Sequence, residues 1–253
     1  VKISEDILSY QKSKGKLQFT HKYYDSEEKK FNVKIKVICG HHKSIFDDKK
    51  IIEEAFSEIC SITCEKDGIH FDTTTIETEE INENRIYKGI RLHVTAQLDT
   101  ARQKIAMDIG FGDIITPNPQ EVEYPLLLDN LPSVTVMAYS LETVVAEKFQ
   151  AAIELSENNS RMKDFYDLYT ILCKNTMDPT LLEKAIHATL KNRRTIYEEN
   201  HPLFNDDFPI NPRFQMLWKS FMKKIRKAKP DFETVVRLIK EKLFPYWEKY
   251  KEQ

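Results

Sequence analysis

Apolar and polar positions alternate over residues 16–24 (KLQFTHKYY) and 31–38 (FNVKIKVI). A polar, acidic link, DSEEKK, joins them, so the pattern predicts a β-hairpin. From about residue 48 the period lengthens towards 3.6. Ile51, Ile52, Ala55, Phe56 and Ile59 then share one face of a helix running to about residue 60, with Asp47 or Asp48 as its cap. Gly68 marks a turn, and residues 69–72, 76–81 and 89–96 read as short strands. Residues 104–113 (KIAMDIGFGD) form a further strand that runs into two glycines. Pro117, Pro119, Pro125 and Pro132 punctuate residues 114–135, which predicts a loop.

After Ser140 the periodicity is helical. Residues 141–157 (LETVVAEKFQAAIELSE) predict one helix, with Ser140 as its N-cap. Residues 160–174 predict a second and 178–191 a third, capped by Asp178 with Pro179 at its first position. Pro202, Pro209 and Pro212 mark a break before two more helices, at 213–228 and 231–244. The expectation is an α+β protein: a mixed-sheet α/β domain over residues 1–140 followed by an all-helical domain over residues 141–253.

Composition narrows the picture. The chain has 253 residues, 41% hydrophobic and 31% charged. That is enough apolar material for a core and too much for a disordered chain. With 38 Lys+Arg against 40 Asp+Glu the formal net charge is −2, which excludes a globally basic nucleic-acid coat. Charge is nevertheless uneven. Residues 47–83 hold 12 acids and 3 Lys/Arg, a local balance of −9, whereas residues 219–253 hold 11 Lys/Arg and 5 acids, a balance of +6. The run Lys219, Lys223, Lys224, Arg226, Lys227, Lys229 contains no acid. It is either a solvated helix face or a surface for phosphates. No apolar run approaches the roughly 18 residues of a membrane span, and VKISEDILSYQ lacks a signal-peptide core. Cys39, Cys60, Cys64 and Cys173 read as reduced thiols of a cytoplasmic protein. The first residue is Val1 rather than Met, so further residues upstream are expected.

A few charged residues sit where apolar ones would be at home. Asp108 lies in an apolar strand next to Gly110 and Gly112. A carboxylate there must be paired, hydrogen-bonded or metal-bound, or else close a turn. Lys148 falls on the inward stripe of its helix with Val144, Val145, Phe149, Ala152 and Ile153, so it must snorkel or meet an anion. Arg161, Lys163, Asp164 and Asp167 crowd the start of the next helix, where Lys163 and Asp167 are spaced to pair. Asp164 borders the apolar side and can hold a cation. Arg193 and Arg194 come after the third helix, suited either to phosphates or to the helix dipole. No P-loop, G-x-G-x-x-G, H-E-x-x-H or G-x-S-x-G motif is present.

Three segments carry a likeness. Met107-Asp108-Ile109-Gly110-Phe111-Gly112-Asp113, Ala138-Tyr139-Ser140-Leu141-Glu142-Thr143-Val144-Val145-Ala146-Glu147-Lys148, and Asn159-Ser160-Arg161-Met162-Lys163-Asp164-Phe165-Tyr166-Asp167-Leu168 resemble, in this order, the AbiEii/AbiGii-type nucleotidyltransferase toxin family. Arg193 and Thr195 fit its Arg-x-Thr position, and the likeness covers about residues 48–245. The resemblance implies a DNA-polymerase-β-like nucleotidyltransferase domain joined to a helical domain. It implies a toxin of a bacterial abortive-infection or type IV toxin–antitoxin pair, moving a nucleotide from an NTP to tRNA or another RNA with Mg²⁺ as cofactor. The implied partner is a winged-helix antitoxin. Residue by residue, it makes Asp108 a metal-site carboxylate, Lys148 the contact to nucleotide phosphates and Asp164 the Asp of the family's Lys-Asp motif. Arg193 becomes a phosphate or RNA contact, and Arg161 and Lys163 of the crowded helix start, with Lys223 and Lys224 of the basic run, complete the candidate nucleotide or RNA contacts.

The same resemblance places a glycine-containing turn and an Asp-x-Asp pair ahead of the matched region. That pair falls near residues 35–37, where this chain has Ile35-Lys36-Val37, although Gly40 and His41 resemble the family's residues just beyond the pair. Ser4-Glu5-Asp6 resembles the opening of the pair in some relatives. The departure implies an alternative: a catalytically incomplete chain with the same fold, acting as an RNA- or antitoxin-binding module.

Overall fold

A computed structural model describes residues 16–25, 30–38, 49–62, 68–81, 89–110, 114–124, 134–225 and 230–251. The chain divides into two compact units, residues 1–113 with 119–139, and residues 114–118 with 140–253. Gly40, His41, Asp47, Asp48, the stretch Phe111–Asp113, and Arg226, Lys227 and Lys229 of the basic run lie outside the described residues, as do Ser4, Glu5 and Asp6.

The first unit is built on a five-stranded mixed sheet. Strands β1 (Lys16–Asp25) and β2 (Lys30–Ile38) form the predicted antiparallel hairpin. After helix α1 (Lys49–Cys60) come β3 (Ile69–Ile81), β4 (Gly89–Leu98) and β5 (Ala101–Gly110), an antiparallel meander. The spatial order is β1-β2-β5-β4-β3, with β2 parallel to β5. The two short strands expected at 69–72 and 76–81 are one strand with a register shift between Asp72 and Glu77. Alternation sorts the faces: Ile90, Leu92, Val94, Met107 and Ile109 are buried against Ile52 and Phe56 of α1. Arg91, His93 and Asp108, at the intervening positions, take the opposite face. The stretch 114–135 is not all loop. Strand β6 (Gln120–Tyr124) pairs with β7 (Val134–Ala138). Pro119 precedes β6 rather than interrupting it, where a missing N–H costs no ladder bond, and Pro125 lies outside the described residues.

The second unit carries helices α2 (Leu141–Leu155), α3 (Met162–Lys174), α4 (Pro179–Asn192), α5 (Pro212–Met222) and α6 (Phe232–Tyr250). Ser140 and Asp178 cap their helices as expected, and Asp231 does the same for α6. Ser140 Oγ accepts from Thr143 N, Asp178 Oδ1 from Thr180 N and Leu181 N, and Asp231 Oδ1 from Thr234 N. Phe149, Phe165, Phe214, Phe232 and Trp247 are fully buried in one core. Phe165 meets Phe232 edge-on, with centroids 5.2 Å apart. Helix α6 outruns the end expected at residue 244. It continues through Pro245 because Trp247, wholly buried and stacked on Tyr197, holds the next turn in the core.

Candidate functional site

Helix α2 delivers Lys148 to the side of α3. Its Nζ lies 2.8 Å from Asp164 Oδ1 and 2.7 Å from Asp167 Oδ2. Asp164 and Asp167 are three residues apart on α3 and so face the same way. Lys163 Nζ donates to Asp167 Oδ2 at 2.6 Å, and Arg161 Nη1 stands 3.6 Å from Asp164 Oδ2. Lys148, Asp164 and Asp167 keep only 19%, 17% and 20% of their side-chain surface, against 48% for Arg161 and 40% for Lys163. Burial by itself would lower the Lys148 pKa, but the two carboxylates outweigh it and hold the ammonium above the ordinary lysine value. Burial would likewise raise Asp167, yet Lys148 and Lys163 hold it below the ordinary aspartate value. The five side chains carry three positive charges and two negative ones, with cations at the more exposed edge.

Arg193, at the C-terminal end of α4, meets a different side of α2. Gln150, two residues and so about 200° around the helix from Lys148, is almost wholly buried. Its Oε1 accepts from Arg193 Nη1 at 3.0 Å, and its Nε2 donates to Glu154 Oε2 at 3.0 Å and Thr195 Oγ1 at 3.2 Å. The Arg-x-Thr segment thus braces α2 through Gln150 and does not join the Lys148 cluster.

In the first unit Asp108 is half-buried and taken up by a neighbour. Arg91, directly across in the β4–β5 register, donates Nε to Oδ1 at 2.6 Å and Nη2 to Oδ2 at 3.1 Å. Glu79 of β3 lies 3.6 Å from Arg91 Nη1. The hydrogen bond to Asp108 is the main reason that the Arg91 guanidinium titrates above its ordinary value. By backbone register the row continues to Lys34 of β2.

Compared with known proteins, residues 38–244 match the family model described as "Nucleotidyl transferase AbiEii toxin, Type IV TA system". The chain belongs to the AbiEii family. Among solved structures, JHP933 from Helicobacter pylori is similar with a TM-score of 0.43 and 11% identity, covering 99% of this chain and 95% of that one. A candidate nucleotidyltransferase from H. pylori gives a TM-score of 0.44 and 11% identity, covering 98% of each chain. No curated protein matches the chain.

Seen as an AbiEii protein, the chain brings together Lys148, Asp164, Lys163 and Arg161 of the expected site, and adds Asp167 as the second anion of Lys148. The segment Ile35–Val37 lies on β2, with Ile35 and Lys36 opposite Ile109 and Gly110 of β5. By alternation positions 35 and 37 share the sheet face of Ile109, whereas Asp108 is in register with Lys34 on the other face, and residues 34–37 contain no carboxylate. A divalent cation, usual for nucleotidyltransferases, wants several oxygen ligands. Among the described residues no group of three or more His, Cys, Asp or Glu could hold one, and both oxygens of Asp108 are engaged by Arg91. These residues do not fit a magnesium site. Of the basic run, Lys219, Lys223 and Lys224 are exposed on α5 and just past its end, next to the exposed Met216. No helix among the described residues is long and apolar enough to cross a membrane. Arg91 and Gln150 escaped the sequence reading. The usable signals were an Arg between Ile90 and Leu92 in an alternating strand, and a Gln amid the apolar run of α2.

Proposed function

We propose that this chain is a nucleotidyltransferase toxin that moves a nucleotide from an NTP to tRNA or another RNA in the bacterial cytoplasm, held in check by a winged-helix antitoxin. The observation that carries the reading is the Lys148 cluster, drawn from α2 and α3 inside the family-matched segment. In the reaction an RNA hydroxyl oxygen attacks the α-phosphorus and gives up its proton to water, a new P–O bond forms, and the bond to the departing pyrophosphate breaks with its electron pair staying on the pyrophosphate. Negative charge grows on the pyrophosphate as it leaves, and fixed cations stabilise that charge more than the ground state. Lys148, held charged by its carboxylates, supplies one such cation at a fixed place. Arg161 and Lys163 present two more at the exposed edge, and Asp164 aims Lys148. Lys223 and Lys224 supply phosphate contacts for the RNA.

The fork of Arg91 on Asp108 favours a second reading, a nucleotidyltransferase-fold module that binds RNA or antitoxin without turnover. One assay separates the two. The chain is incubated with Mg²⁺, each labelled NTP in turn and total tRNA, and the RNA is resolved on a gel. Label in tRNA that disappears in Lys148→Ala supports the transferase. A tRNA mobility shift without label, for every NTP, replaces it with the binding module.

A further inference from the structure

The turn between α2 and α3 is restrained from several directions. Ser156, which ends α2, has φ +42°, a conformation that side-chain-bearing residues adopt only when their surroundings hold them there. Asn159, 1% exposed, accepts the Arg161 N–H on Oδ1 at 2.7 Å, and its Nδ2 has no hydrogen-bond partner among the described residues. Arg213, in the first turn of α5, lays its guanidinium across three successive carbonyls. Nη1 donates to Glu157 O at 2.6 Å and Asn159 O at 3.3 Å, and Nη2 reaches Asn158 O at 3.5 Å. These are the carbonyls left over where a short 3₁₀ turn (Ser156–Asn158) ends, and a cation complements them. Lys148 stands before this turn, and Asp164 and Asp167 stand after it. The two ion pairs of Lys148 therefore span the segment that Arg213 grips.

We propose that Arg213 is a positioning residue. It fastens the turn at residues 156–159 so that Lys148 meets Asp164 and Asp167 together, without touching any of the three. A planar fork suits this task because it reaches several carbonyls at once, whereas a lysine offers a single point of charge. Any effect on nucleotide handling rests on the nucleotidyltransferase reading; the fastening of Lys148 does not.

The test uses the whole chain with Arg213→Met and Arg213→Lys. Each protein is pulsed with an amine-acetylating reagent, and the rate at Lys148 is read by peptide mass spectrometry against the exposed Lys219. With the turn loosened, the Lys148 amine is less protonated and less covered. Its acetylation in Arg213→Met should quicken by about fivefold or more, the factor expected from losing hydrogen bonds of this kind. Arg213→Lys should fall between, and free guanidinium at low concentration should slow the reaction in Arg213→Met but not in the native chain. Affinity for ATP, GTP, CTP and UTP, measured by calorimetry on the same proteins, should weaken in parallel. An unchanged Lys148 rate in Arg213→Met, whatever happens to its melting temperature, overturns the proposal and leaves Arg213 a residue of stability alone. If the native chain binds none of the four nucleotides while Lys148 responds as described, the transferase reading falls and the positioning role stands.

Discussion

Replacing Lys148 with methionine should destabilise the second unit, and the structure sets the size. Taking one partner from a buried ion pair costs about 3–5 kcal/mol, chiefly because a charge is left without compensation. Here roughly a fifth of each side chain is still exposed, and Arg161 and Lys163 remain near the carboxylates. The loss in Lys148→Met should therefore be smaller, about 2–3 kcal/mol. For a chain of this length that lowers the melting temperature by about 4–12 °C. Both tryptophans, Trp218 and Trp247, are buried in the second unit, so tryptophan fluorescence tracks the relevant transition. The pH dependence has a definite sign. Asp167 is held below its ordinary value of 3.8, so its contribution is present above that pH and lost as pH falls through the folded value. Lys148 is held above 10.5, so its contribution is present below that pH and lost as pH rises through the folded value. The gap between native and variant should be widest from about pH 4 to pH 10 and close at both ends. Changing all three residues, Lys148→Met with Asp164→Asn and Asp167→Asn, should recover much of the loss. A single variant that melts with the native protein, or a triple variant as unstable as the single, would refute the buried-cluster account.

Two further outcomes are expected from the geometry. His201 is buried under Phe204 and Trp247, with Nε2 on Ile153 O and Nδ1 accepting from Leu203 N. Burial holds its pKa below 6.5, so protonation favours the unfolded chain. Urea stability should fall by up to about 2 kcal/mol from pH 6.5 to 5, with most of that slope absent in His201→Gln. Reversing Lys219, Lys223 and Lys224 to Glu should weaken tRNA binding and reduce the slope of log affinity against log salt by about 0.7–0.9 for each phosphate no longer neutralised. An unchanged slope in a filter-binding titration would make these lysines a solvated face.

The parts of the fold that the sequence revealed were those decided locally. Ser140, and Asp178 with Pro179, mark helix starts because a cap needs only the next three residues. Alternation placed β4 and β5, and the spacing of Ile52 and Phe56 gave the buried face of α1. Failures came where distant packing overrode a local signal. The expected end of α6 is residue 244, but Trp247 and Tyr250 beyond it are bound into the core. The proline-rich stretch 114–135 reads as loop, yet β6 follows directly on Pro119. The site divides in the same way. Lys148 on an apolar stripe announced that it needed an anion. Its sharing between Asp164 and Asp167 depends on how α2 meets α3, which no window of sequence contains. Asp167 looked fully accounted for by Lys163, and that pair does form. The fork of Arg91 on Asp108 depends on strand register, which aligned the two residues only once β4 and β5 were paired.

The place of β2 in the sheet bears on how the protein is made. Its partner on one side, β1, is its neighbour in sequence, but on the other side Asn32 sits against Ala106. During synthesis the hairpin emerges early, and the strand that covers its second edge comes about 70 residues later. At about 5–20 residues per second that interval is about 4–15 s. For that time β2 presents a row of unsatisfied backbone donors and acceptors, the kind of edge on which other chains assemble. A strand that is interior in the finished sheet therefore passes through a period with an open edge on the ribosome, and slower translation between residues 38 and 110 lengthens that period.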